Sequence, residues 1–295
     1  MNKSRSKTDY LLTLRSTFTK TMETERFIDI QRLVKSKSPR LAKWLPGFVF
    51  RYLKRILHQD EINAFIEKNG HLYDAEFCEE IIRYFNITIE IEGIEKIPTS
   101  GPVIITMNHP LGGMDAVAFV AATKGHRKDL RFIVNDLLMN MKNLSGLFVG
   151  VNKHGKNDQS VRQQISDAFE SDSALVIFPA GLVSRKIKGK VRDLEWKKTF
   201  IHYAKKFDQP IVPIYIDGTL SPFFYRLSRF RKFLGIKANI EMLYLADELF
   251  KQRNKTMVFR VGDPVYINQT DPNGDDRELA QMVRGRVYEL ANDGE

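Results

Sequence analysis

The sequence predicts an α/β fold: a mostly parallel central sheet with helices on both faces, preceded by an N-terminal helical region. Three observations carry that expectation. From Ile87 onward, short β-branched apolar runs alternate with stretches of helical periodicity, the pattern of strands joined by crossover helices. Two of those runs, Val103–Thr106 and Ala174–Phe178, pass directly into turns containing proline and glycine. Before Phe85 the chain lacks such runs and reads as helical.

Taken in order, Ile28, Ile30, Leu33 and Val34 mark one amphipathic helix, and the stretch from Asp60 through Phe85 marks two more, with Cys78 on an apolar face as a core residue. Between them lies LAKWLPGFVFRYLKRIL, residues 41–57. It mixes Trp44, Phe48, Phe50 and Tyr52 with Lys43, Arg51, Lys54 and Arg55, the composition of a helix lying in a bilayer interface. An ordinary amphipathic helix packed on the domain is the plain alternative. Pro46-Gly47 is expected to kink or break it. The composition shifts near residue 86, which divides a helical region, 1–85, from a second domain, 86–295.

In the second part, strands are expected near Ile87–Ile91, Val103–Thr106, Arg131–Val134, Leu147–Val151, Ala174–Phe178, Ile211–Ile216, Ile240–Tyr244 and Val258–Val261. Helices are expected near Ala116–Thr123, Val161–Ser171, Trp196–Phe207, Phe223–Leu234 and Arg277–Leu290. The stretch FFYRLSRFRKFLGIK, 223–237, is a second basic-aromatic helix. Its cations suit an anionic lipid surface, an acidic carrier or plain solvent.

Composition limits the partners. A net charge of +10 points to nucleic acid, an anionic membrane surface or an acidic protein. No zinc-finger spacing, recognition-module aromatic motif or arginine-rich tail supports nucleic acid. One cysteine excludes an intrachain disulfide framework and fits a reducing interior. The histidines show no metal-ligand spacing, so neither zinc nor another metal is expected. No apolar stretch reaches the roughly 18 residues of a spanning helix, and the first residues lack the apolar core of a signal peptide. The expectation is a cytoplasmic protein, peripheral on the cytoplasmic face of a membrane.

The chemistry concentrates in VIITMNHPLGGMD, 103–115. A buried strand ending in a polar turn holds reactive side chains rigidly and exposes them. Asp115 can cap the following helix and orient His109. Asn108-His109 followed by an acid resembles the signature of the glycerolipid acyltransferase superfamily, and NHPLGG resembles its hemolysin-like subgroup. That family has four residues between His and Asp; here there are five. The block LVIFPAGLVSR, 175–185, keeps Phe178, Pro179, Gly181 and Ser184 of the family's Phe-Pro-Glu-Gly-Thr-Arg-Ser, with Ala180 for the Glu, Val183 for the Arg, and Arg185 two positions late. In the second block a family Arg becomes Val151, with Lys153 two positions later.

The resemblance spans about Ile87 to Ile267. It implies transfer of a fatty acyl group from a thioester donor, acyl-CoA or acyl carrier protein, to a hydroxyl of a lysolipid, with no bound cofactor. The head would be phosphate, as in lysophosphatidic acid, or the carboxylate of a lyso-aminolipid. It casts His109 as general base and Asp115 as its orienting carboxylate. Backbone N–H groups at Gly112, Gly113 and Gly181 become oxyanion donors, with Asn108, Ser184, Arg185 and Lys153 around the acceptor. A non-enzymatic membrane-binding protein and a thioester or lipid hydrolase are the rival readings.

Overall fold

The structure is a computed structural model, described for residues 27–134, 141–150 and 158–291. The chain divides into two compact units, Met1–Lys68 and Asn69–Glu295, a division ahead of the composition change at residue 86. The first unit is helical. Its elements are α1 (Ile30–Lys37), α2 (Pro39–Trp44), α3 (Gly47–Ile56) and α4 (Gln59–Asn69). Asp29 caps α1 by accepting the Arg32 N–H at 2.9 Å. Pro46 separates α2 from α3, as its missing N–H and fixed φ dictate. Two amides fasten the start of the unit: Gln59 accepts the Ile30 N–H at 3.0 Å, and Asn63 bonds both backbone groups of Ile28. Phe50 and Ile56 are buried, while Trp44 and Phe48 stand in solvent. Among the described residues no helix is long and apolar enough to cross a membrane.

The second unit carries nine strands: β1 (Thr88–Glu92), β2 (Val103–Met107), β3 (Leu130–Val134), β4 (Phe148–Gly150), β5 (Ala174–Ile177), β6 (Arg185–Ile187), β7 (Lys190–Arg192), β8 (Ile211–Asp217) and β9 (Thr256–Val261). Its helices are α5 (Asp74–Phe85), α6 (Gly113–Thr123), α7 (Asp158–Glu170), α8 (Thr199–Phe207), α9 (Pro222–Phe233), α10 (Leu245–Phe250), α11 (Ile267–Thr270) and α12 (Asp276–Glu289). Seven strands form one sheet in the order β1-β9-β8-β2-β5-β3-β4, parallel throughout except where β8 meets β9. Strands β6 and β7 form a separate antiparallel hairpin.

β2 lies mid-sheet between β8 and β5, and all five of its residues are buried. A strand covered on both faces must be apolar at every position, which explains the unbroken Val103–Ile105 run. Ile104, paired with Ile211 and Leu175, packs under α7, α8 and α12 through Phe169, Phe200, Ile201, Val283 and Val287. On the other side α5 packs against α6. Phe77, Cys78, Met114 and Phe119 are buried there, and Phe119 meets Phe259 at 5.8 Å. Each such side chain contributes about 1.5–3 kcal/mol of burial.

Three expectations change. Ile240–Tyr244 is a 3₁₀ helix leading into α10, not a strand. Its Glu241 is fully buried between two arginines, and that pairing sets the local path more strongly than apolar character does. The helix expected from Trp196 starts at Thr199, because Trp196 is a buried loop residue held by its indole N–H. Leu147 ends a 3₁₀ turn, so β4 starts at Phe148; Val151 lies outside the described residues.

Candidate active site

The site forms at the carboxyl end of β2, where parallel α/β sheets open toward solvent. The first residue past the strand is Asn108, and its amide is used on both sides. It donates to the Ile216 carbonyl at 2.8 Å and accepts the Ile216 N–H at 2.7 Å, extending the β2–β8 pairing by a side chain. Asn108 is therefore a clamp behind the site, not a wall of it.

His109 comes next. Its Nδ1 lies 2.9 Å from Oδ2 of Asp115, which also accepts the Leu111 N–H at 3.0 Å. The Asp115 side chain is 0% exposed and that of His109 18%. Burial pushes the Asp115 carboxyl above its ordinary range, against the pull of the His109 and Leu111 bonds. The imidazole stacks on Phe178, centroids 4.1 Å apart, which fixes the ring plane. With Nδ1–H directed at the carboxylate, Nε2 holds the lone pair and is the nitrogen left for substrate.

The turn between them owes its shape to Gly112, at φ 73° and ψ −137°. A Cβ there would approach Val183 Cγ1 at 3.3 Å. Gly113 opens α6, so Asp115 sits inside the first helical turn instead of at the cap expected of it. No side chain caps this helix, which leaves the first N–H groups, at Gly112 and Gly113, on its positive end. Gly181 also has positive φ, but its N–H donates to the Phe178 carbonyl at 2.9 Å and is occupied as an oxyanion donor.

The second block meets the first directly. The Ser184 N–H donates to the His109 carbonyl at 2.7 Å. The Ser184 hydroxyl is turned away from substrate and donates to Asp193 Oδ1 at 2.5 Å. Asp193, fully buried, also accepts the His109 N–H at 3.2 Å and the Trp196 indole N–H at 2.9 Å. Its own N–H donates to the Tyr288 hydroxyl at 2.7 Å, and Arg284 bonds its carbonyl at 2.6 Å. One carboxylate thus ties the backbone of the histidine to Ser184 and Trp196, and its backbone ties it to α12. Sequence reading missed Asp193; the only signal is an acid beside a tryptophan in a stretch assigned to no element.

Arg185 is placed differently from expectation. Its guanidinium is buried, bonds the Val183 carbonyl at 2.6 Å and pairs with Glu241 at 3.1 Å. Glu241 also lies 2.9 Å from Arg231. Burial draws the Arg185 pKa down and Glu241 is the largest influence holding it up. The structure brings His109, Asp115, Gly112, Gly113 and Ser184 together, sets Arg185 behind them in an ion cluster, and leaves Lys153 outside the described residues.

The family model described as Acyltransferase matches residues 32–295. The chain belongs to this acyltransferase family. Two curated relatives are each named lyso-glycine lipid O-acyltransferase. The acyltransferase is 40% identical to that of Bacteroides thetaiotaomicron over 264 residues, 89% of this chain and 97% of the relative. It is 39% identical to that of Phocaeicola vulgatus over 264 residues, 89% and 95%. A solved structure, the 1-acyl-sn-glycerophosphate acyltransferase PlsC of Thermotoga maritima, superposes with a TM-score of 0.46 at 18% identity, covering 83% of this chain and 93% of that one. The acyltransferase is thus an enzyme of acyl transfer to oxygen.

Proposed function

We propose that the enzyme moves a fatty acyl group from a thioester, acyl-CoA or acyl carrier protein, to a hydroxyl of a lysolipid whose head carries a carboxylate. The observation that carries the mechanism is the 2.9 Å contact from His109 Nδ1 to Asp115 Oδ2, which leaves Nε2 basic and facing out. Nε2 removes the acceptor's hydroxyl proton as that oxygen attacks the thioester carbonyl. Asp115 stabilises the imidazolium so formed. The N–H groups of Gly112 and Gly113, at the start of α6, receive the developing oxyanion. Collapse of the tetrahedral intermediate breaks the C–S bond, and the imidazolium returns its proton to the departing thiolate. The step calls for no bound cofactor.

The head-group assignment draws support from the relatives' printed substrate and from Glu241. The cation that the resemblance would assign to an acceptor phosphate, Arg185, is already neutralised from within. A site without a spare arginine there suits a single carboxylate better than a phosphate. The acceptor and the product are both membrane lipids, which fits a peripheral protein on the cytoplasmic face.

The test is an acyl-transfer assay with a long-chain acyl-CoA and an acyl-carrier thioester, each against lysolipids with phosphate or carboxylate heads. Acylated product with the carboxylate head, lost in His109→Ala, is the expected result. Free fatty acid with no acylated lipid would mean hydrolysis, and preference for phosphate would overturn the head-group assignment.

A further inference from the structure

From Pro222 to Ile240 the chain carries five cations, Arg226, Arg229, Arg231, Lys232 and Lys237, and no carboxylate. Helix α9 splits them. Phe224, Tyr225, Ser228 and Arg231 form its buried face, spaced one, four and seven residues from the first. Arg226, Arg229 and Lys232 are exposed, as is Lys237 beyond the helix.

The buried Arg231 organises the end of the helix and the turn after it. It pairs with Glu241, and its other nitrogen donates to the Ile236 carbonyl at 2.7 Å. The Ile236 N–H returns to the Arg231 carbonyl at 3.1 Å, with Gly235 turning at φ 68°. The outcome is a fastened knuckle that holds apolar side chains in water: Phe233 is 87% exposed and Phe230 59%, with Leu234 and Ile236 beside them. A buried ion cluster thus braces a tip that gains nothing from aqueous exposure. The same segment borders the histidine site, since Leu245 lies beside Gly112 and Arg185 stands over the Phe224 ring at 5.5 Å.

We propose that this knuckle, Phe230 to Ile236, inserts into an anionic lipid bilayer and seats the acceptor lipid's membrane beside His109. The apolar tip matches the acyl-chain region. The collar of four exposed cations, with no acid between them, matches anionic head groups. Seating the acceptor rests on the proposed acyl transfer; bilayer insertion does not.

Flotation of the full chain with phosphatidylcholine vesicles, with and without phosphatidylglycerol, tests it. Wild type should float with the anionic vesicles. The variant Phe230→Ser/Phe233→Ser/Leu234→Ser, altered only at exposed positions, should bind them on the order of 100-fold more weakly. Arg226→Gln/Arg229→Gln should lose about five-fold per charge on anionic vesicles and nothing on neutral ones. Equal flotation of wild type and the triple serine variant, or no flotation of wild type, would overturn the proposal. So would loss of a wild-type dimer on gel filtration with vesicle binding unchanged, which would make the face a contact between copies. Acyl transfer adds a separate readout. With a short-chain acceptor below its micelle concentration the serine variant should match wild type, and with vesicle-embedded acceptor it should fall in step with binding. A wild type that floats but turns over neither acceptor would overturn the proposed acyl transfer and leave insertion standing.

Discussion

Nδ1 of His109 and Oδ2 of Asp115 meet at 2.9 Å across five intervening residues, one more than the usual family spacing. The extra residue is taken up at Gly112, whose φ of 73° folds the turn back before α6 begins at Gly113. Oδ2 then also accepts the Leu111 N–H, so the carboxylate closes the turn that it depends on. The pairing is a property of the loop as a unit, and substitutions within the loop and behind it separate its parts.

Replacing the imidazole removes the base and keeps the stack on Phe178 only in part. His109→Gln should lower kcat by about 10²- to 10⁴-fold. KM should stay near wild type and the secondary structure by circular dichroism should be unchanged. Steady-state kinetics on purified protein read both.

Asp115 trades stability for orientation. Burial raises its carboxyl above the ordinary 3.8, so the folded state holds the proton more tightly than the unfolded state does. Its contribution is therefore fully present below that ordinary value and is lost as pH rises through the raised folded one. Asp115→Asn escapes that loss. It should melt at a higher temperature than wild type near neutrality, with the gap closing toward about pH 4, while acyl transfer falls sharply. Thermal melts across that range, paired with assays, give the comparison.

The two glycines of the turn should respond in opposite directions. Gly112→Ala puts a Cβ at positive φ and 3.3 Å from Val183, and should cost about 1–3 kcal/mol along with activity. Gly113→Ala meets nothing within 4 Å at a helical position and should stabilise by up to about 1 kcal/mol. Urea midpoints separate them.

Asp193 serves three donors from one buried position, so its loss should exceed that of any donor. Asp193→Ala should destabilise by about 3 kcal/mol or more, leaving the His109 and Trp196 N–H groups unpaired. Ser184→Ala, which removes one hydroxyl donor, should cost only about 1 kcal/mol. Chemical denaturation of both variants decides between a hub and a bystander.

Glu241 neutralises Arg185 and Arg231 together inside the fold. Glu241→Gln leaves two buried guanidiniums without their carboxylate and should destabilise by about 3–5 kcal/mol. The urea midpoint should drop accordingly, well beyond the effect of any exposed-surface change of the same kind.

The sequence by itself determined the α/β class, the mid-sheet strand ending at Met107, the turn with His109 and Asp115, and the buried place of Cys78. Those features are written in neighbouring residues: a strand covered on both faces is apolar at every position, and a helix repeats its buried face every three or four. Only the tertiary structure decided the rest. Asp193 reaches His109 from 84 positions away and Glu241 reaches Arg185 from 56, and neither pairing has a local periodicity to announce it. The same cause turned Ile240–Tyr244 from an expected strand into a 3₁₀ helix and Arg185 from a ligand-holding cation into one already paired. A buried charge must find its partner in space, and chain order does not record which distant segment supplies it.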